Sequence, residues 1–127
     1  MFGDIKAFSG FSVDDIDAAR TFYRDTLGLR VEDNAMGFLN IHLATGGVIL
    51  VYPKPDHVPA TYTILNFPVP SVDAAVDELN AKGVVTKIYE GDFTDSRGIS
   101  RPEKPEWGPV ICWFTDPAGN VLSVLED

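Results

Sequence analysis

Residues 11–19 read Phe11-Ser-Val-Asp-Asp-Ile-Asp-Ala-Ala19, and residues 67–75 read Phe67-Pro-Val-Pro-Ser-Val-Asp-Ala-Ala75. Each copy runs from a short apolar strand through a turn into the start of a helix. Each predicted helix stops at a glycine, Gly28 in the first copy and Gly83 in the second. An echo of this kind marks a duplicated structural unit, so equivalent positions can be compared within one chain.

Working outward, Ala7 to Val13 reads as a strand, with Phe8, Gly10 and Ser12 on one face and Ser9, Phe11 and Val13 on the other. Asp14 and Asp15 offer an N-cap, and Ile16, Ala19, Phe22, Tyr23 and Leu27 follow with helical spacing. Leu29 to Val31 is a short strand. Gly37 to Ala44 and Val48 to Tyr52 form a hairpin. Pro53 to Pro59 is stiff and polar and reads as a linker, which sets a first module at 4–53, a linker at 54–60 and a second module at 61–127.

The second module repeats the pattern. A strand runs from Tyr62 to Val69, and Ser71 caps a helix carrying Val72, Ala75, Val76 and Leu79. Val84 to Tyr89 is the next predicted strand. Glu90 to Gly108 is a long polar loop, and loops of that length in compact domains are usually functional or disordered. Val110 to Thr115 and Val121 to Leu125 make the last hairpin. The second hairpins echo too: Leu50 falls opposite Ser123, and a longer second turn would place His42 opposite Trp113.

Bulk properties bound the function. A chain of 127 residues makes one domain of two small modules and buries a real core. A net charge of -9 argues against nucleic acid and anionic membrane surfaces, which both need clustered Lys and Arg. The single cysteine, Cys112, excludes an internal disulfide and fits a reducing compartment. The first residues carry no apolar signal core, and no stretch is long enough to span a bilayer, so a cytoplasmic location is expected.

At Val13-Asp-Asp-Ile-Asp-Ala-Ala-Arg-Thr-Phe-Tyr-Arg-Asp-Thr-Leu-Gly28, Val72-Asp-Ala-Ala-Val-Asp-Glu-Leu-Asn-Ala-Lys-Gly83 and Trp113-Phe-Thr-Asp-Pro-Ala-Gly-Asn120, the chain resembles the vicinal oxygen chelate superfamily. That superfamily holds glyoxalase I, extradiol dioxygenases, fosfomycin-resistance proteins and bleomycin-resistance proteins. The resemblance implies an α+β fold of two βαβββ modules, forming a curled mixed sheet, or cup, with the helices outside. Metal-using members place His or Glu on the first and last strand of each module. Here those positions carry Phe8, Leu50, Ile64 and Ser123. Three have no donor atom, and a lone hydroxyl is a poor ligand beside imidazole, thiolate or carboxylate. The expectation is therefore no metal and no cofactor.

Alternation places His42 on the cup face, as a general base, as a hydrogen-bonder to ligand, or as a polar residue on a wet sheet. Trp113 on the same face offers a flat apolar wall or plain packing. Phe8, Leu50, Tyr52 and Ile64 make the rest apolar, with Ser12, Asn66 and Ser123 as sparse polar points. That mix suits a small-molecule pocket or a collapsed core. Asp95, Arg97 and Glu103 lie in the long loop, as a lid or as solvated charge. His57 reads as exposed and inert, and Cys112 as a small buried hydrophobe.

The expected function is a metal-free small-molecule-binding protein of the glyoxalase and bleomycin-resistance type. It would be homodimeric, as such members commonly are, and hold an apolar or aromatic ligand in the cup. The alternative is an enzyme of the superfamily, either a lyase or dioxygenase with non-standard metal ligands or a metal-independent acid-base catalyst using His42.

Overall fold

The computed structural model describes residues 1–91 and 93–127. The chain divides into two compact units, residues 1–58 and 59–127. Each is an α+β unit of βαβββ order built on a four-stranded mixed sheet.

In the first unit the elements are β1 (Ser9–Val13), α1 (Ile16–Thr21), β2 (Arg30–Asp33), β3 (Leu39–His42) and β4 (Val48–Pro53). The sheet order is β1-β4-β3-β2, with β1 parallel to β4 and the other pairs antiparallel. Of the two candidate caps, Asp15 is the one used: its carboxylate accepts from Asp17 N at 3.0 Å and Ala18 N at 3.1 Å. The single helix expected from the spacing changes character at Phe22. Residues Phe22–Thr26 form a π-helical turn, closed by Leu27 N donating to Phe22 O at 2.9 Å. The wider turn lets two neighbours, Phe22 and Tyr23, both face inward, with their rings edge to face at 5.1 Å. Val13, Ala19, Leu39, Ile41 and Val51 complete a core in which each fully buried large aliphatic contributes about 1.5–3 kcal/mol.

The second unit holds β5 (Thr63–Val69), α2 (Val72–Ala81), β6 (Ile99–Ser100), β7 (Ile111–Thr115) and β8 (Val121–Glu126), in sheet order β5-β8-β7-β6. Ser71 caps α2 through Ala74 N at 3.2 Å, and Glu126 accepts a second free amide, Val72 N, at 3.0 Å. Val72, Val76 and Leu79 pack the inner stripe of α2, while Cys112, Phe114, Leu122 and Val124 fill the core beside them. Both helices end at left-handed glycines as expected, Gly28 at φ 73° and Gly83 at φ 82°.

Two expectations are corrected here. Residues 84–89 are not a strand. Val84 and Thr86 are buried and Val85 is exposed, but the alternation breaks at Ile88, which is also exposed, and Lys87 N donates to Trp113 O at 2.8 Å. The fourth place in the sheet instead belongs to Ile99–Ser100, which pairs with Cys112 and Ile111. The edge is thus interrupted by the loop that separates the two segments. The second correction concerns the internal equivalence. Both hairpins turn through stretches of equal length, residues 43–47 and 116–120. Leu50 pairs with Gly10 and Asn40, and Ser123 pairs with Asn66 and Trp113. Leu50 and Ser123 are therefore counterparts, but Trp113 answers to Asn40. His42 lies two residues further along the same face.

Candidate functional site

In a strand, side chains alternate between faces, so the cross-strand pairs sort each sheet into a helix-side face and an opposite face. In the first unit the opposite face carries Ser12, Asn40, His42, Leu50 and Tyr52. Tyr52 and Phe38 lie ring to ring at 6.3 Å. Phe8 stands in coil before β1 and is 67% exposed, so strand alternation does not fix its direction.

His57 is not an exposed linker residue. It is half-buried, and its Nδ1 lies 2.6 Å from Ser12 Oγ. The linker folds back because Lys54 N donates to Val13 O at 2.8 Å and His57 N to Lys54 O at 3.0 Å. No local pattern could have revealed a pair 45 residues apart.

His42 stands beside Glu32, with Nε2 3.4 Å from a carboxylate oxygen. No well-aligned hydrogen bond forms at that distance, and Nε2 is buried with no hydrogen-bond partner among the described residues. Arg30 takes the shorter bond to Glu32, at 2.6 Å. The Arg30 bond and charge, and then His42, hold the Glu32 carboxyl below its ordinary range.

In the second unit the opposite face carries Thr63, Asn66, Trp113 and Ser123. The Trp113 indole N–H donates to Thr63 Oγ1 at 3.1 Å. Phe93 stacks on the indole at 5.6 Å and 23°, and Tyr89 meets it edge-on at 5.4 Å. Tyr89 and Phe93 are themselves perpendicular at 6.0 Å, and the Lys87 ammonium sits 5.4 Å from the Tyr89 ring centroid. Sequence reading puts Tyr89 at the end of a predicted strand and Phe93 in the polar loop, so it singles out neither as a partner of Trp113. A register shift between Thr63 and Leu65 makes Ile64 the extra residue of a bulge. Thr63, not Ile64, is the residue that reaches Trp113.

Ser123 is fully buried and donates to Asn66 Oδ1 at 2.6 Å. Cys112, on the helix side, is fully buried as expected, and desolvation pushes its thiol up despite a bond to Thr86.

Asp95 and Arg97, the residues expected in a lid, both take part in charged contacts that tie the loop down. Arg97 ion-pairs with Asp73 at 3.5 Å and with Asp77, both on α2. Arg101 bonds Asp73 at 2.6 Å and Asp95 at 3.3 Å. Asp95 also accepts from Ile99 N and Arg97 N, each at 2.9 Å. Desolvation would raise the Asp95 carboxyl, but those backbone bonds and Arg101 leave it below its ordinary range. These residues fasten the loop to α2.

The sequence also matches a protein-family model. The model described as Glyoxalase/Bleomycin resistance protein/Dioxygenase superfamily matches residues 7–124. The chain belongs to this superfamily. No curated protein sequence matches it. Among solved structures, it is similar to a genomically encoded fosfomycin resistance protein, FosX, from Listeria monocytogenes. That pair shares 15% identity and a TM-score of 0.72, over 95% of this chain and 91% of that one. A superfamily member from Sphaerobacter thermophilus gives 21% and 0.70, over 97% and 98%. TnmS3, an antibiotic-binding protein from a Streptomyces strain, gives 21% and 0.66, over 97% of each chain. At these identities the likeness establishes the fold.

One FosX structure holds Mn(II). The four positions at which metal-using superfamily members carry ligands do not fit such an ion here. Phe8, Leu50 and Ile64 have no donor, and the Ser123 hydroxyl is committed to Asn66. Among the described residues no group of three or more His, Cys, Asp or Glu is placed to hold a metal.

Proposed function

We propose that this superfamily member binds a small molecule without the metal centre of its metal-using relatives. The ligand is apolar or aromatic and lies against the sheet face that carries Trp113. The observation that carries this reading is the Trp113 cluster. An indole oriented by Thr63 and flanked by Tyr89 and Phe93 supplies flat apolar surface, with Asn66 beside Ser123 as a polar point. Aromatic walls with few oriented polar groups are the usual make-up of a small-molecule site. The antibiotic-binding relative supports the same reading by likeness of fold. On the first unit, Tyr52, Leu50, Ser12 and His42 are proposed as a ligand-contacting surface of that unit's own sheet face, and the working state is proposed to be a cytoplasmic homodimer.

The test is a melting series with metal-free bleomycin and with 8-anilinonaphthalene-1-sulfonate, run alongside Ni²⁺, Fe²⁺, Mn²⁺ and Zn²⁺. A ligand present at 100 times its Kd stabilises by about 2.7 kcal/mol. The expected result is an upward shift with an organic ligand, lost in Trp113→Ala, and none with the metals. One tightly bound metal per chain, with a matching rise in melting point, overturns the reading. Sedimentation at micromolar concentration tests the dimer.

A second reading rests on the buried Nε2 of His42 beside Glu32. A positioned imidazole and carboxylate can move protons without metal. It predicts turnover that His42→Ala abolishes while ligand binding survives.

A further inference from the structure

Beyond β6, at the edge of the second sheet, the chain forms an open groove of about 530 Å³. That is within the range of small-molecule sites. Phe93 and Trp107 contribute its aromatic surface and are 57% and 62% exposed. Ile99, Ser100, Arg101, Glu103 and Asp95 also line it. Ser100 is only 8% exposed and brings a hydroxyl to the groove wall.

The charges define the ligand further. Arg101 lines the groove but is already bonded to Asp73 through two N–H groups, at 2.6 and 3.1 Å, and to Asp95. Glu103 makes no ion pair among the described residues. The cation of the groove is therefore neutralised and one carboxylate is not. The Trp107 ring shows what its face attracts: the Lys104 ammonium sits 5.1 Å from its centroid. We infer that this edge groove binds an organic cation carried on an aromatic or apolar body. The cation would meet Glu103 and the Trp107 face, the apolar body would lie along Phe93 and Ile99, and the Ser100 hydroxyl would accept an N–H. The groove shares Phe93 with the Trp113 cluster, but Glu103, Trp107 and Ser100 lie outside that cluster, and the inference does not rest on that reading.

The test uses the full chain, with 2-naphthylmethylammonium as probe and 2-naphthylmethanol as its neutral counterpart. The two tryptophans give separate indole N–H signals by NMR. The expected result is a saturable shift of the Trp107 signal with Kd of about 1 mM or tighter. The alcohol should bind about tenfold more weakly. Glu103→Gln and Trp107→Ala should each weaken binding roughly fivefold, in keeping with a cation–π and charge contact. Lys104→Met, which removes a competing cation, should tighten it about twofold. Glu103, Lys104 and Trp107 are exposed, so these variants should fold. No saturable shift by about 10 mM, equal binding of the alcohol, or a shift confined to the Trp113 signal each overturns the inference. Because Phe93 touches both, the Trp107 signal and Glu103→Gln report the groove while Trp113→Ala reports the sheet face, so failure at one site is distinguishable from failure at the other.

Discussion

Ser123 Oγ donates a 2.6 Å hydrogen bond to Asn66 Oδ1, across the parallel pair β5 and β8. The first and last strands of the second unit are thus joined by a neutral hydroxyl-to-amide bond, on strands where metal-using superfamily members carry ligands. Ser123 is fully buried while Asn66 is exposed. Ser123→Ala removes the donor but leaves an acceptor that water can reach. The expected loss is about 1 kcal/mol in urea unfolding, with no change in metal content. A loss several times larger would mean that the hydroxyl also satisfies a buried partner.

Much of this arrangement was legible in the chain. The echo at Phe11 and Phe67 set two equivalent units, and Asp15, Ser71, Gly28 and Gly83 marked the helix ends by their own chemistry. What was not legible came from long-range geometry. The pairing of Ile99–Ser100 with β7 involves only two residues, too few for a periodic signal. The Arg101–Asp73 bond spans 28 residues and the Ser12–His57 bond spans 45. A bulge moved Thr63 into the place that simple alternation gave to Ile64.

The bonds from Arg97 and Arg101 to α2 are exposed ion pairs, so each is weak singly and sensitive to salt. Arg101→Met should speed amide exchange at Ile99 and neighbouring loop residues more than at α2. About 0.5 M salt, where screening falls to roughly 4 Å, should do part of the same. The Arg101 hydrogen bond holds the Asp73 carboxyl below its ordinary range. A depressed carboxyl contributes stability above its unfolded pKa and loses it as pH falls through the folded value. Loop protection should therefore decline below about pH 4 in the wild type and less so in Arg101→Met. Equal exchange in the two proteins at every pH would remove the clamp from consideration.

Gly98 has φ 81°, and a Cβ built there would lie 2.4 Å from Lys87 O and 3.1 Å from Thr86 Oγ1. Both neighbours are fixed: Thr86 Oγ1 donates to Arg97 O at 2.6 Å, and Lys87 N donates to Trp113 O. Gly98→Ala combines backbone strain with a backbone clash and should cost about 2 kcal/mol or more. Because the displaced segment is the one beside Trp113, the variant should also change tryptophan emission. An unshifted melting point and spectrum would show that the loop crosses residue 87 at a greater distance.

Burial pushes the Cys112 thiol above its ordinary value, and the sign of the consequence follows from which state holds the proton. In the unfolded chain the thiol ionises near pH 8.5, while in the folded chain it stays protonated to higher pH. The folded state then binds more protons, so this contribution is fully present below the unfolded pKa and is lost as pH rises toward the folded one. Urea unfolding from pH 7 to 10 should show wild-type stability falling more steeply than that of Cys112→Ala, even though the alanine variant starts lower because it leaves a cavity. At pH 8 the native thiol should resist iodoacetamide and react promptly once the chain is unfolded, because the thiolate is the nucleophile. Parallel pH profiles for the two proteins, or rapid labelling of the folded chain, would place Cys112 in a more open setting than between Thr86 and the backbone of Arg97.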